Sequence, residues 1–225
     1  MAATLAQRVQ DLVGFDYADN SILTEDEALE TACAEVIDLT PTTLLLKYAV
    51  APTDLVDGSA NMDIQGKKIL RVIRFDDNAV ARLCEKLDID EFKLVTVDTN
   101  SIYLPTKHSP VYSEDPETGT TKLEVRPVPT GGADAANSGK VYFITYPTGD
   151  FDGNVALDGL PNEIEHAIAL KASMYILQTL ISDAVQDDED DELLNMFNNQ
   201  MQSLAGMYQA EIQKLTGEQG VQTGD

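Results

Sequence analysis

Two apolar stripes near the end of the chain constrain its fold most strongly. After Leu160-Pro-Asn-Glu163, apolar residues recur at helical spacing over about 24 residues. They are Ile164, Ala167, Ile168, Met174, Tyr175, Leu177, Leu180, Ile181 and Ala184. The second stripe has heptad-like spacing and comprises Leu194, Phe197, Met201, Leu204, Tyr208 and Leu215. This rhythm suits packing at a shallow angle, so we predict a helical hairpin.

Six consecutive acids, Asp187 to Glu192, separate the two stripes. Such a run is usually a solvated turn whose last acids favour the N-terminus of the next helix through its dipole. We interpret it in that way. A loose site for divalent cations is the alternative.

The start of the chain is also helical in pattern. Apolar residues from Leu5 to Val13 have helical spacing and stop at Gly14. Thr24-Glu-Asp-Glu27 matches a capping box and precedes a further stripe. Pro41 suits the first position of a short helix over 42–49.

The middle of the chain has β character. Residues 51–66 are rich in Asp, Gly, Pro and Ser and indicate a linker. β-branched or alternating runs predict strands over 68–75, 92–97, 122–127 and 140–146, and a short helix is expected over 78–87. Turn signals at Asp115-Pro-Glu-Thr-Gly119 and Thr130-Gly-Gly132 separate strands.

These patterns predict an α+β fold in which the N- and C-terminal helices form a bundle with an inserted, mostly antiparallel β-subdomain. We place the bundle at 1–50 and 155–216 and the β-subdomain at 60–150. Residues 217–225 are polar and rich in Gly, so we expect a flexible tail there.

Charge and composition exclude several classes of protein. With 15 basic and 39 acidic residues the net charge is −24, so broad binding to nucleic acid or anionic membranes is disfavoured. The start of the chain lacks the pattern of a signal peptide, and no membrane span is expected. Cys33 and Cys84 are predicted to be small buried hydrophobes, because no ligand pairs at zinc spacing accompany them.

Candidate chemistry is sparse. Asp150, Asp152 and Asn154 match the start of a calcium loop, but Val155 and Pro161 replace its essential Gly and Glu. His166 has no thiol or serine motif near it and is expected to flank the apolar stripe. Gly131-Gly132 lacks the context of a phosphate loop. We therefore expect no enzyme activity, no cofactor and no metal.

Two groups of segments in the sequence are similar to those of a known family. Asp98-Thr-Asn-Ser-Ile-Tyr103 precedes Ser109-Pro-Val-Tyr112. Tyr142-Phe-Ile-Thr-Tyr-Pro147 precedes the Ala-rich segment Leu160–Ser173, and Tyr208-Gln-Ala-Glu211 follows. Over about 70–215 the chain resembles virion structural proteins of tailed bacteriophages, specifically the head-to-tail adaptor (connector) proteins.

The resemblance implies a structural subunit of the virion neck, made in the host cytoplasm. It implies a ring, commonly of twelve copies, that docks under the portal protein and carries a downstream tail or nozzle protein. Double-stranded DNA would pass through the lumen without specific binding, and an acidic wall would let it slide. The alternatives are another virion ring or tail-tube protein, or a soluble carboxylate-dependent hydrolase.

Interface candidates are mainly aromatic, because large rings bury much area at low entropic cost. They are Tyr103, His108, Tyr112, Tyr146, Tyr175 and Tyr208. We expect at least one of Tyr103, Tyr112 and Tyr146 to be buried in the sheet core. The faces around Tyr175 and Tyr208 are expected to be mostly intrachain core, with their flanks left for ring contacts.

Overall fold

The computed structural model of this chain is a mixed α+β fold, as the sequence predicted. It describes residues 4–14, 23–47, 49, 51–55, 61–97, 104–117, 120–133, 135–149, 151, 160–186 and 191–217. The chain divides into two compact units. Residues 1–48 and 146–225 form the helical unit, and residues 49–145 form the sheet unit.

Six helices and eight strands occur within the described residues. The helices are α1 (Leu5–Val13), α2 (Glu25–Leu39), α3 (Thr42–Leu45), α4 (Ile89–Val97), α5 (Asn162–Gln186) and α6 (Asp191–Thr216). The strands are β1 (Thr53–Leu55), β2 (Asn61–Asp63), β3 (Lys67–Phe75), β4 (Ala81–Leu83), β5 (Glu85–Lys86), β6 (Val111–Glu117), β7 (Thr120–Arg126) and β8 (Gly139–Thr145). All helices but α4 belong to the helical unit.

Side-chain caps set the starts of α1 and α2. The Thr24 hydroxyl accepts a hydrogen bond from the Glu27 N–H at 3.1 Å, and the Glu27 carboxylate accepts one from the Thr24 N–H at 2.9 Å. This confirms the predicted capping box, and Thr4 and Gln7 form a second one. Helix α1 ends at Gly14, which has a left-handed φ of 87°. Pro41 precedes α3 as its N-cap, one position earlier than predicted.

Helix α5 is the centre of the helical unit. It contacts α1, α2 and α6, so it is covered on several sides. Its fully buried residues are Ile164, Ala167, Ile168, Ala169, Leu170, Ala172, Ser173, Ile176 and Leu177. Both predicted helices of the closing hairpin are therefore present, and they pack on each other. The bend at 187–190 lies outside the described residues.

One helix in the described part of the chain is long and apolar enough to cross a membrane. The segment Asn162–Val185 of α5 has a mean hydropathy of 1.2 in its most apolar window, of which 44% is buried. A core helix surrounded by other helices has the same length and composition. The hydropathy of α5 is therefore weak evidence for a span.

Polar contacts attach α1 to the long helices. Arg8 pairs with the buried carboxylate of Glu165 on α5 at 2.9 Å. The Gln200 amide on α6 donates to the carbonyls of Leu12 and Val13, each at 2.8 Å. Since the last carbonyls of a helix lack intrahelical partners, Gln200 satisfies two groups that would otherwise need water.

The sheet unit contains two four-stranded sheets. The first has the order β1-β8-β3-β4 and is antiparallel throughout. The second has the order β2-β7-β6-β5 and is antiparallel except for the β5–β6 pair. Both sheets supply residues to one apolar core, made of Leu55, Ile64, Val72, Cys84, Tyr112, Leu123, Val125 and Val141.

Two segments of this unit differ in secondary structure from the prediction. Residues 78–87 contain a tight turn followed by β4 and β5 instead of a helix, because Asp76 Oδ1 accepts the N–H groups of Asn78 and Val80 and closes that turn. Residues 92–97 belong to α4 instead of a strand. Asp88 and the acids that follow it start this helix, and Phe92 is its buried residue.

The predicted boundaries also change. The expected linker at 51–66 contains β1 and β2, which pair with β8 and β7, so the sheet unit begins at 49 instead of 60. Residues 146–150 belong to the helical unit, where the Gly149 N–H donates to Glu30 at 2.7 Å. The predicted turn at 115–119 is the place where β6 and β7 meet in a hairpin, since their last pair is Glu117 and Thr120. Pro116 itself lies in β6, beyond the reach of the short β5, so its missing N–H leaves no partner unsatisfied.

Candidate interaction surfaces

The predicted interface residues lie in different environments. Tyr103 lies outside the described residues. Tyr112 is 8% exposed and belongs to the core of the sheet unit, as we expected for at least one of the loop tyrosines. Tyr146 is half-buried, and its hydroxyl donates to the Asp38 carboxylate at 2.6 Å. Tyr112 is thus unsuited to surface contact, and Tyr146 has its hydroxyl engaged within the helical unit.

Tyr175 and Tyr208 come together in a polar cluster of α2, α5 and α6. Tyr175 donates a hydrogen bond to Glu35, and the Lys171 ammonium lies 2.8 Å from the other oxygen of that carboxylate. Lys171 also lies over two rings, 4.9 Å from the centroid of Tyr175 and 5.5 Å from that of Tyr208. We call Glu35, Lys171, Tyr175 and Tyr208 the Glu35 cluster.

The electrostatics of the Glu35 cluster follow from burial and from the Glu35 charge. Burial raises the pKa of Tyr175, and the hydrogen bond to Glu35 raises it further. Burial and the nearby Glu35 charge likewise raise the pKa of Tyr208. Although burial raises the pKa of Glu35, the hydrogen bonds from Lys171 and Tyr175 outweigh it and lower that pKa. The cluster therefore holds neutral phenols around one ionised pair.

A shallow cavity of about 360 Å³ adjoins Tyr175. Leu23, Gln178, Thr179 and Ser182 complete its lining. These side chains offer neutral hydrogen-bonding groups and one apolar contact, with no charged group among them. Among these described lining residues there is no carboxylate, imidazole or thiol.

In the sheet unit, Asp76 organises the turn between β3 and β4. Its side chain is 1% exposed, and Oδ2 accepts hydrogen bonds from Arg82 Nη2 at 3.0 Å and Nε at 3.2 Å. Hydrogen bonds from the backbone N–H of Val80 and from Asn78 and Arg82 lower the pKa of Asp76. The Asp76 carboxylate is therefore engaged by hydrogen bonds within the sheet unit.

His108 lies on a tight turn next to Asp76. Thr106 and Ser109 exchange backbone hydrogen bonds of 3.2 and 3.1 Å across this turn. Lys107 pairs with Asp77 at 2.5 Å, and His108 Nδ1 lies 3.7 Å from Asp76 Oδ2. His108 is exposed, so it is the predicted interface residue that the described structure leaves most accessible.

An open cleft lies between this turn, β5 and α4. Its volume is about 490 Å³. Four apolar side chains line it, together with two carboxylates and two hydroxyls: Leu87, Val95, Leu104, Val111, Glu85, Glu91, Thr106 and Ser109. We call it the α4 cleft. The sequence did not indicate the α4 cleft, because β5 and α4, which form part of its walls, were predicted as a helix and a strand.

The described part of the chain contains neither a candidate metal site nor an exposed cysteine. No group of three His, Cys, Asp or Glu residues there is arranged to hold a metal ion. Cys33 and Cys84 are free and buried, as predicted, and burial raises the pKa of each to about 12. The calcium-like residues 150 and 152–154 lie outside the described residues.

Comparison with known proteins leaves the family open. No protein-family model matches the chain, and no curated protein sequence matches it.

Proposed function

We propose that this protein is a structural subunit of the neck of a tailed-bacteriophage virion, a head-to-tail adaptor. It would form a ring of about twelve copies under the portal protein, joining the capsid to the tail. Twelve copies is the number that the resemblance implies. No catalytic role is proposed.

One observation carries the proposal, namely the way in which the chain divides. Residues 1–48 and 146–225 form one helical unit, and the sheet unit is inserted between them. A helical bundle with an inserted β-region is the arrangement that the resemblance implies. Two of the segments that carry the resemblance belong to this unit: Leu160–Ser173 is largely buried at its centre, and Tyr208–Glu211 lies on α6, which packs on α5.

The surface of the helical unit offers positions for contacts between copies. Leu39, Val185, Met196 and Met207 are large apolar residues that are exposed in the single chain. Met196 and Met207 lie on α6, on the flank of the stripe that packs on α5. Flexible methionines suit contact surfaces, so we assign lateral ring contacts to this flank of α6.

The net charge of −24 fits a channel for DNA. An acidic wall does not retain a polyanion, so DNA would slide during packaging and ejection. A ring whose lumen is lined mainly by Lys and Arg would contradict this part of the proposal.

The test is assembly of the full chain with the portal protein of its own virion. We expect light scattering and electron microscopy to show a ring on the portal. Met196→Glu with Met207→Glu should prevent ring formation, while the matched exposed change Gln202→Glu should not. A chain that stays monomeric with its portal would contradict the proposal, and hydrolysis of a substrate by the monomer would favour the enzyme alternative.

A further inference from the structure

We propose that the α4 cleft binds a peptide segment of another protein in which a bulky apolar side chain is flanked by Lys or Arg. The cleft lies in the sheet unit, and binding there is separate from the role in the neck. The shape of the cleft, its charge and the way in which its walls are held favour this occupant.

The size and lining of the cleft fit a side-chain anchor. Its volume of about 490 Å³ falls within the range of roughly 300–1,000 Å³ that is typical of ligand sites. Leu87, Val95, Leu104 and Val111 provide apolar walls. Leu104 is 37% exposed, so an inserted apolar side chain would remove further apolar surface from water.

Two carboxylates that have no ion-pair partner among the described residues favour an occupant with positive charge. Glu85 and Glu91 line the cleft and are exposed. The lysines nearest to them in sequence are engaged elsewhere, since Lys86 pairs with Glu114 at 2.7 Å and Lys93 with Asp115 at 3.3 Å. Within the described residues neither Glu85 nor Glu91 has an ion pair. Basic side chains on the occupant would complement them.

The walls of the cleft are held in place before any partner arrives. Strand β5 pairs with β6 through the Glu85 N–H to the Pro110 carbonyl at 3.0 Å and the Leu87 N–H to the Tyr112 carbonyl at 2.9 Å. Helix α4 is anchored by the buried ring of Phe92. The turn at 106–109 is fixed by its own bridge and by Lys107. Such preorganisation lowers the entropy cost of binding.

Other occupants fit the charge less well. Nucleic acid would meet two carboxylates and a chain of net charge −24. A second copy would bring the same excess of acids to the cleft. A basic and apolar peptide segment is therefore the occupant that the lining favours.

The probe is a displayed library of random linear peptides, selected on the folded full-length chain. We expect the enriched peptides to share an aliphatic or aromatic residue flanked by Lys or Arg. Their Kd should weaken about tenfold in the Glu85→Gln, Glu91→Gln double variant and in Leu104→Ser. Raising the salt concentration should also weaken binding, because the paired charges are exposed.

Matched controls come from the same helix. Asp90→Asn removes a carboxylate from the first turn of α4, and Leu94→Ser removes a side chain that is 75% exposed, yet neither residue lines the cleft. Both variants should bind the peptides as the wild type does. The proposal fails if no peptide is enriched, if the enriched peptides are not basic, or if they bind Leu104→Ser equally well. It also fails if light scattering shows self-association that Leu104→Ser abolishes.

Discussion

The hydroxyl of Tyr175 donates a hydrogen bond to the carboxylate of Glu35 and so joins α5 to α2. Lys171, one turn earlier on α5, pairs with the same carboxylate at 2.8 Å. Tyr208 of α6 lies beside this group, but its buried hydroxyl has no hydrogen-bond partner among the described residues. Two tyrosines in one cluster therefore make different contributions to stability.

Tyr175→Phe should lower the free energy of unfolding by about 1 kcal/mol, since a hydrogen bond to a partly exposed carboxylate is lost. Tyr208→Phe is the matched control and should be neutral or slightly stabilising, because it removes an unpaired hydroxyl. Because the pKa of Tyr175 is raised in the fold, its contribution should persist up to about pH 10 and be lost above it. Denaturant unfolding of the two variants checks this, and equal losses would contradict it.

Leu177→Asp should abolish folding of the helical unit. Leu177 is fully buried on α5, and an aspartate there would place an unpaired charge among apolar residues, at a cost well above about 4 kcal/mol. Gln178→Asp, at the exposed neighbouring position, should melt close to the wild type. Circular dichroism melting of both variants gives the comparison. A normal melt for Leu177→Asp would refute the assignment of the stripe.

Asp76→Asn should destabilise the sheet unit at neutral pH and much less in acid. The pKa of Asp76 is lowered in the fold, so its contribution is present above the unfolded value of about 3.9 and is lost as the pH falls through the folded value. The difference in Tm between wild type and variant should therefore be largest near pH 7 and shrink below about pH 4. A difference that is constant across this range would show that the charge of Asp76 is irrelevant.

Both thiols should be unreactive in the folded protein. Cys33 and Cys84 are buried, and with a pKa of about 12 each is almost entirely protonated near neutral pH. We expect a thiol reagent at pH 8 to label neither residue in the native chain and both after unfolding in denaturant. Fast labelling of one residue in the native chain would place it at the surface.

The helices were predictable because their signals are local. The capping box at Thr24, the stop at Gly14 and the stripe of α5 each depend on neighbours a few residues away. The strands β3, β7 and β8 were predictable for the same reason, β3 from its β-branched residues and β7 and β8 from alternation. The charge and the buried character of the two cysteines also followed from sequence alone.

The interval 78–97 shows where local signals were insufficient. The apolar spacing of Val80, Leu83, Cys84 and Leu87 is helical, yet the Asp76 carboxylate and pairing with β3 make this segment extended. The alternating run from Phe92 to Val97 favours a strand, but the start at Asp88 and the burial of Phe92 make it a helix. Hydrogen bonds and packing with distant strands outweighed propensity in both cases.

The sequence by itself determined the α+β class, the helical ends with an inserted sheet, the buried stripe of α5 and the acidity. Only the tertiary structure decided that Lys171 lies over the rings of both Tyr175 and Tyr208, that Tyr112 is core, and that Glu85, Glu91 and Leu104 line one cleft. The physical reason is the range of each interaction. Caps and stripes depend on residues within a few turns, whereas a cleft depends on which distant segments the sheets bring side by side.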